Sequence, residues 1–419
     1  MKGTPLGRTG LRSLVLAGAF MKAFRVTGLA TIDLSLPATR RVLRYLVVLL
    51  RFAAWTGGSR VNQQGLYRGE AIDCDLHPAP VNLRAILPYM EEFWREQVLL
   101  RGIDRSNLTL ASFPPAAPST CRDDFRPKSG PPGSDFDMLK SQALDAFGLR
   151  FGICNVLHGA LAMRSEDMAA AFCRAVNNWT AAEWLDRDPR LRASILVPFE
   201  GPDLAVEEIE RCAKDPRFVS VLMLVMPEMP IGRRHYWPIY AAAERHGLTI
   251  AVHAGSTFRQ APTSIGWPST LIEDNFAQSG AFENALLSLI AEGVFSKYPK
   301  LKVAFLESGF MWLPSFMWRA GKTWRGVRPE VPWVDRPPAE FVREHVRIAI
   351  QPFDAPPGVD DLRRVLEQIG SEELLLFSTD YPHAQFEGMD ALPDAFPEAL
   401  RRRILVDNPL AAFPRLAAT

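Results

Sequence analysis

The stretch AIDCDLHPAP (71–80) sets Asp73, Asp75 and His77 two residues apart and stops at a proline. Side chains alternate faces along a strand, so these three share one face while Ile72, Cys74 and Leu76 share the other. Single polar residues recur at the ends of later apolar runs: His253 in AVHAG, Glu307 in AFLESG, Gln351 in AIQP and Asp380 in FSTDYPH. Taken one at a time, each has an ordinary role as a cap, a turn residue or a hydrogen-bonded histidine. Two imidazoles and two or three carboxylates brought together would form a first coordination shell for Zn²⁺ or another divalent first-row ion. That requires a fold that gathers the ends of distant strands.

Such a fold is legible from residue 71 onward. Short β-branched and apolar runs alternate with longer stretches of helical period. The expected strands are 71–77, 151–157, 193–199, 218–225, 248–254, 302–308, 346–352 and 374–380. Helical text such as SEDMAAAFCRAVNNWTAAEWL, PDLAVEEIERCAK and VDDLRRVLEQIG lies between them. Eight strands, each trailed by a helix, predict an α/β (β/α)8 TIM barrel. A doubly wound sheet is disfavoured because no glycine-rich phosphate loop follows the first strand. Two aperiodic insertions, 102–134 and 255–275, leave from strand ends on the face where barrels build active sites.

The 419 residues carry a formal net charge of +1, which gives no argument for a nucleic-acid partner. Five scattered cysteines without a CxxC pair fit reduced thiols in a cytoplasmic protein. Residues 1–70 differ from the rest, with eleven Lys/Arg against Asp33 and Glu70. Their apolar runs are too short to span a bilayer. The expectation is a basic, helical N-terminal extension to a catalytic domain over 71–419, with packing on that domain, membrane-surface contact and a loose extension all left open.

DCDLH, VHAG and STDYPH, in that order, resemble the amidohydrolase-related family, which includes aminocarboxymuconate semialdehyde decarboxylase and resorcylate-type decarboxylases. FSKYPKLKVAFLESGFMWLPSFMWR and DNPLAAF are also similar to that family. The resemblance covers about 70–415 and implies metal ligation by Asp75, His77, His253 and Asp380. Where the decarboxylases offer a catalytic histidine on the sixth strand, this chain has Glu307. The fourth strand has no lysine, so one ion is expected rather than a lysine-bridged pair: Zn first, with Mn, Fe or Co as alternatives.

The leading expectation is hydrolysis of an amide, lactone or similar carbonyl, with Asp380 as proton acceptor and Glu307 as a second acid/base group. The alternatives are non-oxidative decarboxylation of an aromatic or dienoic acid, and a metabolite-binding barrel without turnover. Substrate contacts are expected from His158, Arg319, Arg325, Gln351 and His383. The expected partners are a small-molecule substrate and a second copy in a dimer.

Overall fold

The computed structural model describes residues 67–105, 121–356, 358–383, 392 and 396–418. The expected N-terminal extension, up to residue 66, lies outside the described residues. All eight strands form: β1 (Ile72–Leu76), β2 (Phe151–Cys154), β3 (Leu191–Leu196), β4 (Phe218–Met226), β5 (Thr249–Ser256), β6 (Val303–Leu306), β7 (Val346–Ala349) and β8 (Leu375–Leu376). They pair in chain order, and every pairing is parallel. The ring closes where Cys74 N–H donates to Phe377 O at 3.0 Å and His77 N–H to Tyr381 O at 2.9 Å. This is the (β/α)8 TIM barrel the sequence predicts.

Parallel strands covered on both sides read as continuous apolar runs, and β4, FVSVLMLVM, is buried throughout. β8 keeps only two residues of the expected run. Beyond it the chain leaves the ladder, Phe377 N–H turning to Ile404 O at 3.0 Å, which frees Ser378, Thr379 and Asp380 for other work.

The helices depart from expectation in two places. In LRAILPYMEEFWREQVLL (83–100), whose period reads as one helix, only Glu92–Leu100 is α-helical, because Pro88 breaks the earlier part into short turns. The helix before β6 begins at Leu271, inside the second expected insertion, since Thr270 and Glu273 form a capping box there. Among the described residues no helix is long and apolar enough to cross a membrane.

The described parts of both insertions stay near the strand ends. Of the first, the described part meets the chain after β8, where Arg122 N–H donates to Pro382 O at 3.4 Å. The second is strapped across two neighbouring loops. Arg259 donates to Met163 O at 3.0 Å and pairs with Glu228, and Gln260 Nε2 donates to Pro227 O at 3.1 Å.

Candidate metal centre at the strand ends

One ligand atom from each of Asp75, His77, His253 and Asp380 falls within 4.8 Å of the other three. All four residues are buried. His77 Nδ1 lies 2.9 Å from Asn155 O, a carbonyl that can only accept, so the proton sits on Nδ1 and Nε2 presents its lone pair. That bare Nε2 faces Asp380 Oδ1 at 2.9 Å and Asp75 Oδ1 at 3.3 Å. His253 repeats the pattern, with Nδ1 2.7 Å from Ala254 O and Nε2 3.5 Å from both Asp75 Oδ2 and Glu307 Oε2.

Lone pairs facing one another in a dry site repel unless a cation lies between them. Asp75 Oδ2, His253 Nε2 and Asp380 Oδ2 are all buried without a hydrogen-bond partner. Three orphan donor atoms in one cluster fit a divalent ion, and the mixed imidazole–carboxylate set suits zinc or manganese. Without the ion a proton takes its place. Burial opposes charge on His253, but the Asp75 carboxylate pulls its pKa up to about 10.

The groups behind these donors fix their orientation. Asn155, which the sequence reading passed over, donates from Nδ2 to Asp75 Oδ1 at 2.8 Å while its main-chain oxygen holds His77. Its own Oδ1 accepts from Ser194 Oγ at 2.5 Å. The missed signal was an amide side chain ending the apolar run FGIC. Asp73, deeper on the same face as Asp75, accepts from Asp75 N–H at 3.0 Å, Thr379 N–H at 3.1 Å and Thr379 Oγ1 at 2.6 Å. Burial pushes its pKa up to about 7 against those three donors. It ties β1 to the residues after β8 and presents no free oxygen to the donors.

Glu307, Asp380 and His383 make a second, overlapping cluster. Glu307 and Asp380 have φ values of 52° and 56°, the left-handed region that costs non-glycine residues energy and that collects at functional sites. His383 stacks on His77 with centroids 4.6 Å apart, and its Nδ1 donates to Asp380 Oδ1 at 2.7 Å. Burial works against charge on His383, yet the Asp380 carboxylate carries its pKa up to about 9. Burial would raise Asp380, but His383 and His77 outweigh it and hold the carboxyl below the usual range. The Glu307 carboxyl is raised by burial and by the Asp380 charge.

The remaining expected contacts divide. Gln351 is fully buried at the end of β7. His158 is buried too, but its Nδ1 accepts from Ala160 N–H at 3.1 Å and its ring stacks on Phe172, so it caps a short turn. Arg319 and Arg325 are exposed, because Leu313, Phe316, Met317 and Ala320 take the buried face of helix Leu313–Val327. Arg319 lies within electrostatic reach of Glu283 on helix Leu271–Ala291, its charge working against the rise that burial gives that carboxyl.

Fold and donor set together define a TIM barrel whose strand ends gather a His/Asp set that could hold a metal. The chain belongs to the amidohydrolase family, whose model matches residues 72–415. A curated relative, the gamma-resorcylate decarboxylase of Rhizobium sp. (strain MTP-10005), is 25% identical over 273 residues, covering 62% of this chain and 80% of that protein. Among solved structures, a 2,6-dihydroxybenzoate decarboxylase complexed with 2,6-dihydroxybenzoate superposes with a TM-score of 0.58 at 19% identity, over 82% of this chain and 99% of the other. The dihydroxybenzoic acid decarboxylase of Polaromonas sp. JS666, with bound manganese and the inhibitor 2-nitroresorcinol, gives 0.57 at 20% identity, over 82% and 97%. These likenesses show a shared fold, and the chain is an enzyme of this family.

Proposed function

We propose that the chain is a divalent-metal-dependent carboxy-lyase, removing carbon dioxide without redox change from an aromatic acid that carries a hydroxyl beside its carboxylate. The observation that carries this reading is the set of three orphan donor atoms at the strand ends, in a chain whose curated relative is a gamma-resorcylate decarboxylase. Hydrolysis, the first expectation from the sequence, asks Asp380 to take a proton from water. Its Oδ1 already accepts from His383 and abuts His77, so only Oδ2, which an ion would also claim, is left for that task.

The ion, when bound, supplies a Lewis acid for the carboxylate and adjacent hydroxyl. In the reaction the bond from ring carbon to carboxylate breaks, the electron pair stays on the ring carbon, and a proton must be delivered there. Glu307 and His383 stand beside the donors and are the groups able to hold that proton. Asp75, His77 and His253 are buried, so the donors themselves are shielded from bulk water. The bound manganese of the Polaromonas structure makes Mn²⁺, rather than the expected zinc, the first ion to load.

The test is carbon dioxide release from 2,6-dihydroxybenzoate by the Mn²⁺-loaded enzyme, alongside an amide and lactone panel. Turnover of the benzoate supports the reading. Hydrolysis of the panel with no carbon dioxide from hydroxybenzoates overturns it.

A further inference from the structure

Just past His253, β5 leaves its ladders. On the β4 side Leu224 pairs with His253 and Met226 with Ser256, so Val225 faces both Ala254 and Gly255, a bulge in β5. On the β6 side the pairing ends with His253 opposite Leu306. The peptide group joining Ala254 to Gly255 therefore needs partners from outside the sheet. Gly255 has a φ of 129°, a backbone conformation that glycine alone adopts freely.

Both ends of that one peptide group are used. Its carbonyl, Ala254 O, lies 2.7 Å from His253 Nδ1 and takes the proton there. Its N–H, on Gly255, donates to Gln278 Oε1 at 3.0 Å. Gln278 stands on helix Leu271–Ala291, which the second insertion leads into, and the sequence reading passed over it. Its Nε2 donates to Asp274 O at 3.4 Å one turn back, which leaves Oε1 for Gly255.

A tether between this helix and β5 could be made at many points, but this one grips the peptide that decides where the His253 proton sits. Were the peptide to turn over, Nδ1 would face an N–H in place of a carbonyl. Nδ1 would then have to be bare, and the proton would move to Nε2, the atom now buried without a partner in the donor cluster. Glycine at 255 permits that turn. We propose that Gln278 is a positioning residue of the metal centre. By accepting from Gly255 N–H it keeps Ala254 O on Nδ1, and so keeps the Nε2 lone pair of His253 open to the ion. This rests on the metal-dependent part of the reading above and is indifferent to whether the reaction is decarboxylation or hydrolysis.

The test is the Mn²⁺ affinity of the full chain, by competition with a fluorescent chelator, read beside the melting temperature of the metal-stripped protein. Gln278→Met keeps the volume and removes the acceptor. It should weaken Mn²⁺ binding about 10-fold or more and leave the stripped melting temperature within about 2 °C of wild type. Gln278→Glu keeps an oxygen acceptor at the same reach and should bind within about 3-fold of wild type. Gln278→Ala, a good helix former, takes the place of the Met variant if that one does not fold.

Wild-type affinity in the Met variant overturns the inference. So does a Glu variant as weak as the Met one, because the acceptor is then not what matters. A loss of affinity accompanied by a clear drop in the stripped melting temperature also overturns it, since that marks a structural tether. If the wild-type chain itself binds less than about 0.2 equivalents of Mn²⁺, the metal reading has failed and the inference falls with it.

Discussion

At the scale of single residues, the centre depends as much on Asn155 as on the donors, since one side chain and one carbonyl hold both Asp75 and His77. Groups that orient metal ligands typically govern affinity by about 10–100-fold. Asn155→Ala should weaken Mn²⁺ binding by that factor in a chelator competition assay and leave the His77 tautomer intact, because the carbonyl remains. Unchanged affinity would remove Asn155 from the site. His253→Ala, by contrast, deletes a ligand. Metal analysis should then find less than about 0.2 equivalents bound, with activity lost along with the ion. His158 makes a prediction of another kind. Burial lowers its pKa from 6.5 to about 4, so the unfolded chain takes up its proton first as pH falls. Stability from this residue is intact above pH 6.5 and declines down to about 4, by about 3 kcal/mol in all. His158→Asn keeps a cap acceptor for Ala160 N–H but does not titrate. Its urea midpoint should therefore fall less than that of wild type between those two pH values.

At the scale of elements, the seam between β1 and the residues after β8 is where the ring closes and where three of the four donors sit. Thr379 secures it through the Oγ1–H bond to Asp73 at 2.6 Å. Thr379→Val keeps the shape but leaves a buried carboxylate short of a donor, a loss of about 1–3 kcal/mol, seen as a lower unfolding midpoint. Thr379→Ser should recover most of it, and a Val variant as stable as wild type would mean that Asp73 is satisfied without the hydroxyl. Much of this architecture was legible beforehand. The eight strands and the inward residues Asp75, His77, His253 and Asp380 follow from apolar runs, two-residue alternation and polar endings. What stayed hidden depends on contacts between elements. The outward placement of Arg319 needs the burial pattern around helix Leu313–Val327, and the role of Asn155 needs the pairing of β1 with β2. The left-handed backbone at Glu307 and Asp380 has no sequence signal, since neither is glycine.

At the scale of the whole molecule, the four donors come from β1, β5 and the chain after β8, so an ion there cross-links the closing seam to the far wall of the ring. An unfolded chain has no such preformed site, and ion binding therefore adds directly to folding stability. At a free ion concentration about 1,000 times the dissociation constant, the gain is about 4 kcal/mol. For a domain of this size that corresponds to a rise of roughly 5–10 °C in melting temperature. Stripping with chelator should lower the melting temperature by that amount and abolish turnover, and Mn²⁺ should restore both at the same occupancy. Because the Asp75 carboxylate lets His253 hold a proton when the ion is gone, the gain should shrink as pH falls, the proton and the ion competing for one lone pair. A melting temperature indifferent to chelator, in protein that binds less than about 0.2 equivalents of any ion, would show that the orphan donors are held by protons alone and that the barrel works without metal.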